Sequence, residues 1–245
     1  MSEFKFPTEE IELPSKGLIY PKDSPLSSGK VEMKYMTARE EDILSNQSYI
    51  QKGTVLDKLL DSLIIDKNIK TDDLIVGDKN ALLIASRVLG YGKDYEVQIK
   101  GESYIIDCST LENKEFDESK FEAGKNEFSY TLPSTGTVIT YKLITGLDER
   151  QINREVAGLK KLNKDASPEL STRLKHVILS VDGQSEKKDI REFVDNYCLA
   201  KDARAIREFY SSISPDVDMV YYKEGREEAA DIPIGIGFFW PDAAV

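Results

Sequence analysis

The side chains that carry most enzyme chemistry are thinly supplied in this 245-residue chain. There is one histidine, His176, and there are two cysteines, Cys108 and Cys198. A single imidazole excludes histidine-rich metal sites and repeated imidazole relays. His176 lies between Lys175 and Val177 on a predicted helix, where it reads as a flanking or surface residue; the competing reading is a Ser-His or Cys-His base. The cysteines are far apart and show no C-x-x-C spacing. They predict two free thiols in a reducing compartment and no zinc site built from this chain alone. Carboxylates are plentiful, and Asp72-Asp73 and Glu227-Glu228 are the obvious doublets. Adjacent acids in a loop or strand do not converge on one substrate, and a glycosidase-like pair needs burial, so solvated turns are the default reading. Gly90-Tyr91-Gly92 and Gly235-Ile236-Gly237 lack the glycine spacing that cradles phosphates after a strand. The first reads as helix termination with Gly90 in a left-handed cap, and the second as close packing or a bulge in a terminal strand. The expectation is a protein without catalytic, cofactor-binding or metal-ligating residues. A carboxylate-dependent hydrolase is the remote alternative.

The elements that position these residues define an α+β class: helical segments flanking a small antiparallel β-sheet, with an extended N-terminal arm and a C-terminal β-hairpin. Residues 1–29 form the arm. Pro7, Pro14, Pro21 and Pro25 forbid a continuous helix there, while Ile11, Leu13, Leu18, Ile19 and Tyr20 are too apolar for a disordered tail. The arm packs along a surface, either the chain's own or a neighbour's. Residues 30–92 comprise a strand and a helical segment. Val31, Met33 and Tyr35 alternate with Glu32 and Lys34, Thr37 and Glu40 make a capping box, and Thr54 and Asp78 open two further helices. Residues 93–145 hold a small antiparallel sheet of four strands, with an acidic loop from Glu112 to Lys125 and a turn at Ser134-Thr135-Gly136. Residues 146–215 return to helix. Ser167-Pro168 starts one helix with Leu170, Leu174, Val177, Ile178 and Val181 behind it; Ser185 and Asp202 cap two more, and Pro215 stops the last. Residues 216–245 form the hairpin, around Glu224-Gly225-Arg226, with an aromatic tail.

At 40% hydrophobic and 31% charged residues the chain can bury a core and stay soluble. No apolar run approaches the roughly 18 residues a bilayer requires. The opening Met1-Ser2-Glu3-Phe4-Lys5 lacks the basic-then-apolar pattern of a secretory signal, so a cytoplasmic protein is expected. The net charge of −11 argues against nucleic acid as a partner. The charge is uneven. Gly146 to Tyr210 holds thirteen Lys and Arg against twelve Asp and Glu, about +1, which leaves about −12 for the remainder.

Two features look like docking surfaces. Ile232 to Pro241 contains Phe238-Phe239-Trp240, three consecutive aromatics with the only tryptophan. If this is a strand, neighbouring rings point to opposite faces and at least one leaves the core as an interface anchor. The second is the arm, through Leu13, Pro14, Leu18, Ile19 and Tyr20, which can add as an extended strand to a partner's sheet.

These residues also carry a resemblance. Leu13-Pro14-Ser15-Lys16-Gly17-Leu18-Ile19-Tyr20-Pro21 and Lys34 to Leu44 resemble the opening of the baseplate hub and hub-assembly proteins of T-even-like contractile-tailed bacteriophages. The Ile190 to Asp195 segment and the Pro233 to Asp242 stretch are similar too, so the resemblance covers nearly the whole chain. It implies a non-enzymatic tail protein, a baseplate hub subunit or hub-assembly factor, built in the host cytoplasm and retained in the virion baseplate or released. The partners it implies are other tail and hub proteins, with the tape-measure protein as a further candidate. A tape-measure or tail-assembly chaperone absent from the mature virion is the alternative. Some family members carry paired cysteines before the terminal aromatics, as in a zinc ribbon. Tyr221 to Arg226 has none, and zinc is not carried over.

Overall fold

The computed structural model describes residues 7–99, 102–165, 167–222 and 229–239, and within them the chain is an α+β protein. Strand β1 (Thr8–Glu12) runs antiparallel to β2 (Lys30–Lys34), with Ile11 opposite Val31 and Glu9 opposite Met33. Val31 and Met33 are buried while Lys30 and Glu32 face outward, the alternation a half-buried strand requires. Between the two strands the chain turns back on itself. The Leu13 N–H donates to the Gly29 carbonyl at 2.8 Å, and Ser24 caps a 3-10 turn over Pro25–Ser28. Gly17 and Gly29 have φ of 77° and 71° and lie against each other's strand of the loop. A Cβ on Gly17 would sit 2.6 Å from the Ser27 carbonyl oxygen, and one on Gly29 would sit 2.7 Å from that of Lys16. Only glycine meets both demands. In its described part, therefore, the expected arm is a strand and a tight loop docked on the chain's own body.

Four helices follow: α1 (Ala38–Leu44), α2 (Gln47–Gln51), α3 (Val55–Leu63) and α4 (Val76–Tyr91). The capping box read from Thr37 and Glu40 starts α1, where the Thr37 N–H and Oγ1 donate to Glu40 Oε2 at 2.8 and 2.6 Å. On α3 the stripe Val55, Leu59, Leu60 and Leu63 is buried. Helix α4 begins two residues before Asp78. It also runs through Gly90, where a Cβ would meet Met36 Sδ at 2.5 Å, and stops at Gly92, whose φ is 88°. The termination expected at Gly90 is thus made two residues later.

The four strands expected over residues 93–145 are present, but they do not form one sheet. Strands β3 (Asp94–Ile99) and β4 (Glu102–Asp107) make a separate hairpin, while β5 (Phe128–Thr131) pairs with β6 (Val138–Tyr141). After α5 (Gly146–Leu162) and α6 (Glu169–Val177), strand β7 (Ile178–Val181) joins β6 antiparallel. This corrects the single helix expected through Val181. A short apolar run fits either period, and the open edge of β6 settles it in favour of a strand. Helix α7 (Lys187–Glu192) passes into a π-helical turn at Phe193–Tyr197, and α8 (Ala200–Ile213) follows, ending just before Pro215.

The expected C-terminal hairpin is formed by β8 (Val220–Tyr222) and β9 (Ala229–Asp231), but Ile236–Phe239 is a helical turn, α9, not a strand. Successive helical residues lie about 100° apart, not the 180° of a strand, so two neighbouring rings can both turn inward. Phe238 and Phe239 are each 1% exposed, and Phe238 meets Tyr95 edge-on at 4.8 Å. Neither of these two rings leaves the core. Trp240 lies outside the described residues. One apolar cluster joins Leu13, Leu26, Met33, Leu63, Leu82, Ile139, Ile206 and Phe239, so the core runs from the loop after β1 to α9.

Candidate functional site: buried carboxylates and a helical docking face

Burial sorts the carboxylates in a way their spacing along the chain does not. Among the described residues, those buried are Glu40, Asp57, Asp78, Asp148 and Asp202. Each occupies the third position of a helix: α1, α3, α4, α5 and α8 respectively. There the unpaired first-turn N–H groups and the positive end of the helix dipole favour negative charge. Each carboxylate also reaches out of its own helix and ties down another segment.

Asp78 shows the pattern most fully. Its Oδ1 accepts from the Ser15 N–H at 2.9 Å, and its Oδ2 accepts from Ser15 Oγ at 2.7 Å and from the Tyr20 hydroxyl at 2.6 Å. The Tyr20 oxygen in turn accepts from the Ile75 N–H at 3.0 Å. Burial pushes the Asp78 carboxyl above the usual carboxylate range, against the lowering effect of Tyr20 and Ser15, and burial beside Asp78 pushes the Tyr20 phenol well up. A raised carboxyl is what a general acid needs. Asp78, however, is 0% exposed with its oxygens engaged by three donors, so no substrate reaches it.

The others repeat the theme. Burial alone would raise Glu40, but Lys34, Ser62 and Thr37 hydrogen-bond it and hold it at about 2. Asp202 Oδ1 accepts from the Ser134 N–H at 2.9 Å, which pins the β5–β6 turn to α8. Asp148 accepts from Lys142 at 2.7 Å and closes a capping box with Thr145. Asp57 lies 2.7 Å from Lys79 Nζ, which also contacts Glu149 at 3.3 Å. Arg150 pairs with Asp72 and stands 3.9 Å from Asp57, so one charge network links α3, α4 and α5. Burial would lower Lys79, but Asp57 and Glu149 outweigh it and keep the ammonium charged.

The remaining sequence candidates divide in the same way. Asp72 of the first doublet belongs to the network above, and the Glu227-Glu228 doublet lies outside the described residues. His176 Nε2 is 3.0 Å from Glu155, which also meets Arg191 at 3.4 Å, a polar cluster on the helical region. Burial raises both Cys108 and Cys198, so each stays a thiol, and both are free. Among the described residues no three His, Cys, Asp or Glu side chains gather as a metal site requires. No helix there is long and apolar enough to cross a membrane.

Most of the expected docking residues that are described lie inside the chain. Leu13, Pro14, Ile19 and Tyr20 are buried in the chain's own core with Phe238 and Phe239, and Leu18 is half-buried. Side chains already packed inside have no area to offer a partner. The large apolar groups that do face solvent are mostly elsewhere. Of eight such residues among those described, Leu147, Leu162, Leu170, Tyr197 and Leu199 stand on the helical region, with Leu162 at 87% exposure and Tyr197 at 61%. Leu162 closes α5 and Leu199 immediately precedes α8, off the periodic stripes by which a sequence is read. The signal that points to this region is its near-neutral charge in an otherwise acidic chain.

A pit of about 230 Å³ opens between α6 and α8, with Leu170 at its wall. From α6, Leu170, Leu174 and Val177 line it, and from α8, Ile206 and Tyr210; Arg173 and Arg207 complete the wall. Leu174, Val177 and Ile206 are buried, while Leu170 and both arginines are exposed. Compared with known proteins, the chain matches no family model, no curated protein and no solved structure.

Proposed function

We propose that this chain is a non-enzymatic phage tail protein, a baseplate hub subunit or hub-assembly factor that acts by docking onto other tail polypeptides. The phage assignment rests on the resemblance of Leu13 to Pro21 and Lys34 to Leu44 to hub proteins. The docking mode rests on one observation: large apolar side chains are held out to solvent on the helical region, and one of them, Leu170, stands at the mouth of an apolar pit. Single exposed leucines are ordinary on any protein surface, but an exposed leucine at the mouth of an apolar concavity is the anatomy of an interface anchor site. In this reading the opening motif serves the fold. Ser15 and Tyr20 bind Asp78, Gly17 passes Gly29, and the loop they make seals one side of the core.

The site of action is the host cytoplasm during assembly and, for a retained subunit, the virion baseplate. The test is co-assembly. The purified chain, mixed with individually purified tail and hub proteins, should form a stable complex with at least one, and failure with all of them refutes the reading. Mass spectrometry of purified virions then separates a retained subunit, present at stoichiometric level, from a tape-measure or tail-assembly chaperone, which is missing.

A further inference from the structure

We infer that the pit between α6 and α8 receives an amphipathic helix of another polypeptide, one that inserts a leucine- or phenylalanine-sized side chain and flanks it with carboxylates. This deepens the docking reading above and rests on it. Leu170, Arg173, Leu174 and Val177 follow one another at intervals of three, one and three residues, a continuous ridge along α6. Ile206 and Tyr210, four apart, form the facing ridge on α8. A groove between two helical ridges accepts a third helix by the same side-chain interdigitation that packs helices in cores. The floor is apolar and has room for one large side chain.

The charge at the rim selects among apolar partners. Arg173 and Arg207 flank the pit, and neither makes a hydrogen bond or an ion pair with any described residue. Their neighbours on the same helices are paired: Lys175 with Asp195 at 2.6 Å and Arg204 with Glu208 at 2.7 Å. A planar guanidinium left beside an apolar pit is suited to a bidentate carboxylate from an incoming chain. The long-range field agrees. The helical region carries about +1 and the remainder about −12, so an acidic segment is repelled by the rest of the surface and not by this near-neutral region. The net charge of −11 also disfavours a second copy of this chain as the occupant.

The test uses the full chain and two labelled 14-residue amphipathic helical peptides with the same leucine stripe. One is flanked by glutamates and the other by lysines, and binding is followed by fluorescence anisotropy. The wild-type chain should bind the glutamate peptide at least tenfold tighter than the lysine peptide, with the margin shrinking as salt is added. The Arg173→Glu/Arg207→Glu variant should reverse that preference, and Leu170→Ala should weaken binding severalfold. All three positions are exposed, so thermal melts of the variants should match the wild type and exclude misfolding. Equal affinity for both peptides, binding of neither, or an unchanged preference in the double variant overturns the inference. A dimer in sedimentation that the double variant abolishes also overturns it, in favour of a second copy. The two levels separate cleanly. A double variant that still co-assembles fully with a tail protein removes this site and leaves the docking reading intact. A chain that binds the glutamate peptide but no tail protein keeps the site and removes the hub reading.

Discussion

Replacing Tyr20 with phenylalanine removes one oxygen and unpicks two buried contacts at once. Asp78 loses the donor 2.6 Å from its Oδ2, and the Ile75 N–H, 3.0 Å from the phenol oxygen, loses its acceptor. A hydrogen bond to a charged group is worth about 1.5–3 kcal/mol, and a buried donor left unpaired costs about 1–3 kcal/mol. Since the two overlap in one site, Tyr20→Phe should destabilise the chain by about 3 kcal/mol, a large share of the 5–15 kcal/mol typical of a folded protein. Asp78→Ala strands the Ser15 N–H, the Ser15 hydroxyl and the Tyr20 hydroxyl together and should cost about 3–5 kcal/mol. The two changes strike the same bond. In urea unfolding followed by circular dichroism, the double variant should therefore be more stable than the sum of the singles predicts by about 1.5 kcal/mol or more.

The pH dependence of the Tyr20→Phe effect carries the sign. Asp78 is raised in the folded state, so the stability it contributes is present below its unfolded value and declines as pH rises through the folded one. Tyr20 donates to the ionised form, so its loss should hurt most above the raised folded-state pKa of Asp78 and least below it, where Asp78 is protonated. A Tyr20→Phe cost below 0.5 kcal/mol, on the order of an unremarkable surface change, or strict additivity with Asp78→Ala, refutes the clamp.

Glu40 titrates in the opposite sense. It falls from the ordinary glutamate value to about 2, so its contribution is complete above pH 4.5 and is lost as pH drops towards 2. With the screening brought by the part-exposed Lys34, this is worth roughly 1–2 kcal/mol, and Glu40→Gln should flatten the acid limb of a stability-versus-pH curve by that amount. At Gly77 a Cβ would lie 1.9 Å from the Pro215 carbonyl oxygen, so Gly77→Ala must push the segment after α8 away from α4. A loss of about 3 kcal/mol in denaturant unfolding is expected, whereas Gly183→Ala, with open space but a φ of 81°, should cost only about 1 kcal/mol. Phe239→Ala should cost about 3–5 kcal/mol, because the ring is core. A near-normal melt for that variant, coupled to lost partner binding, would restore the aromatic end as a docking anchor.

Local chemistry alone determined a good deal of this protein. The capping box at Thr37 and Glu40, the apolar stripe of α3, the alternation in β2 and the stop before Pro215 depend on neighbours three or four residues away at most. Each could be read before any tertiary contact was known. What tertiary structure decided was the use to which those elements were put. The run Ile178–Val181 fits a helix and a strand equally, and only the free edge of β6 made it a strand. Phe238 and Phe239 looked like opposed strand residues until a helical turn sent both inward against Tyr95 and its neighbours. Asp78 and Asp202 read as helix caps, but their partners, Ser15 and Ser134, lie 63 and 68 residues away. The apolar residues of Leu13 to Tyr20 announced that a surface would be covered, and burial made that surface the chain's own. The physical reason is common to all of these. Periodicity and capping are set within a turn or two of chain, whereas burial depends on which distant segment arrives, and no local pattern encodes that arrival.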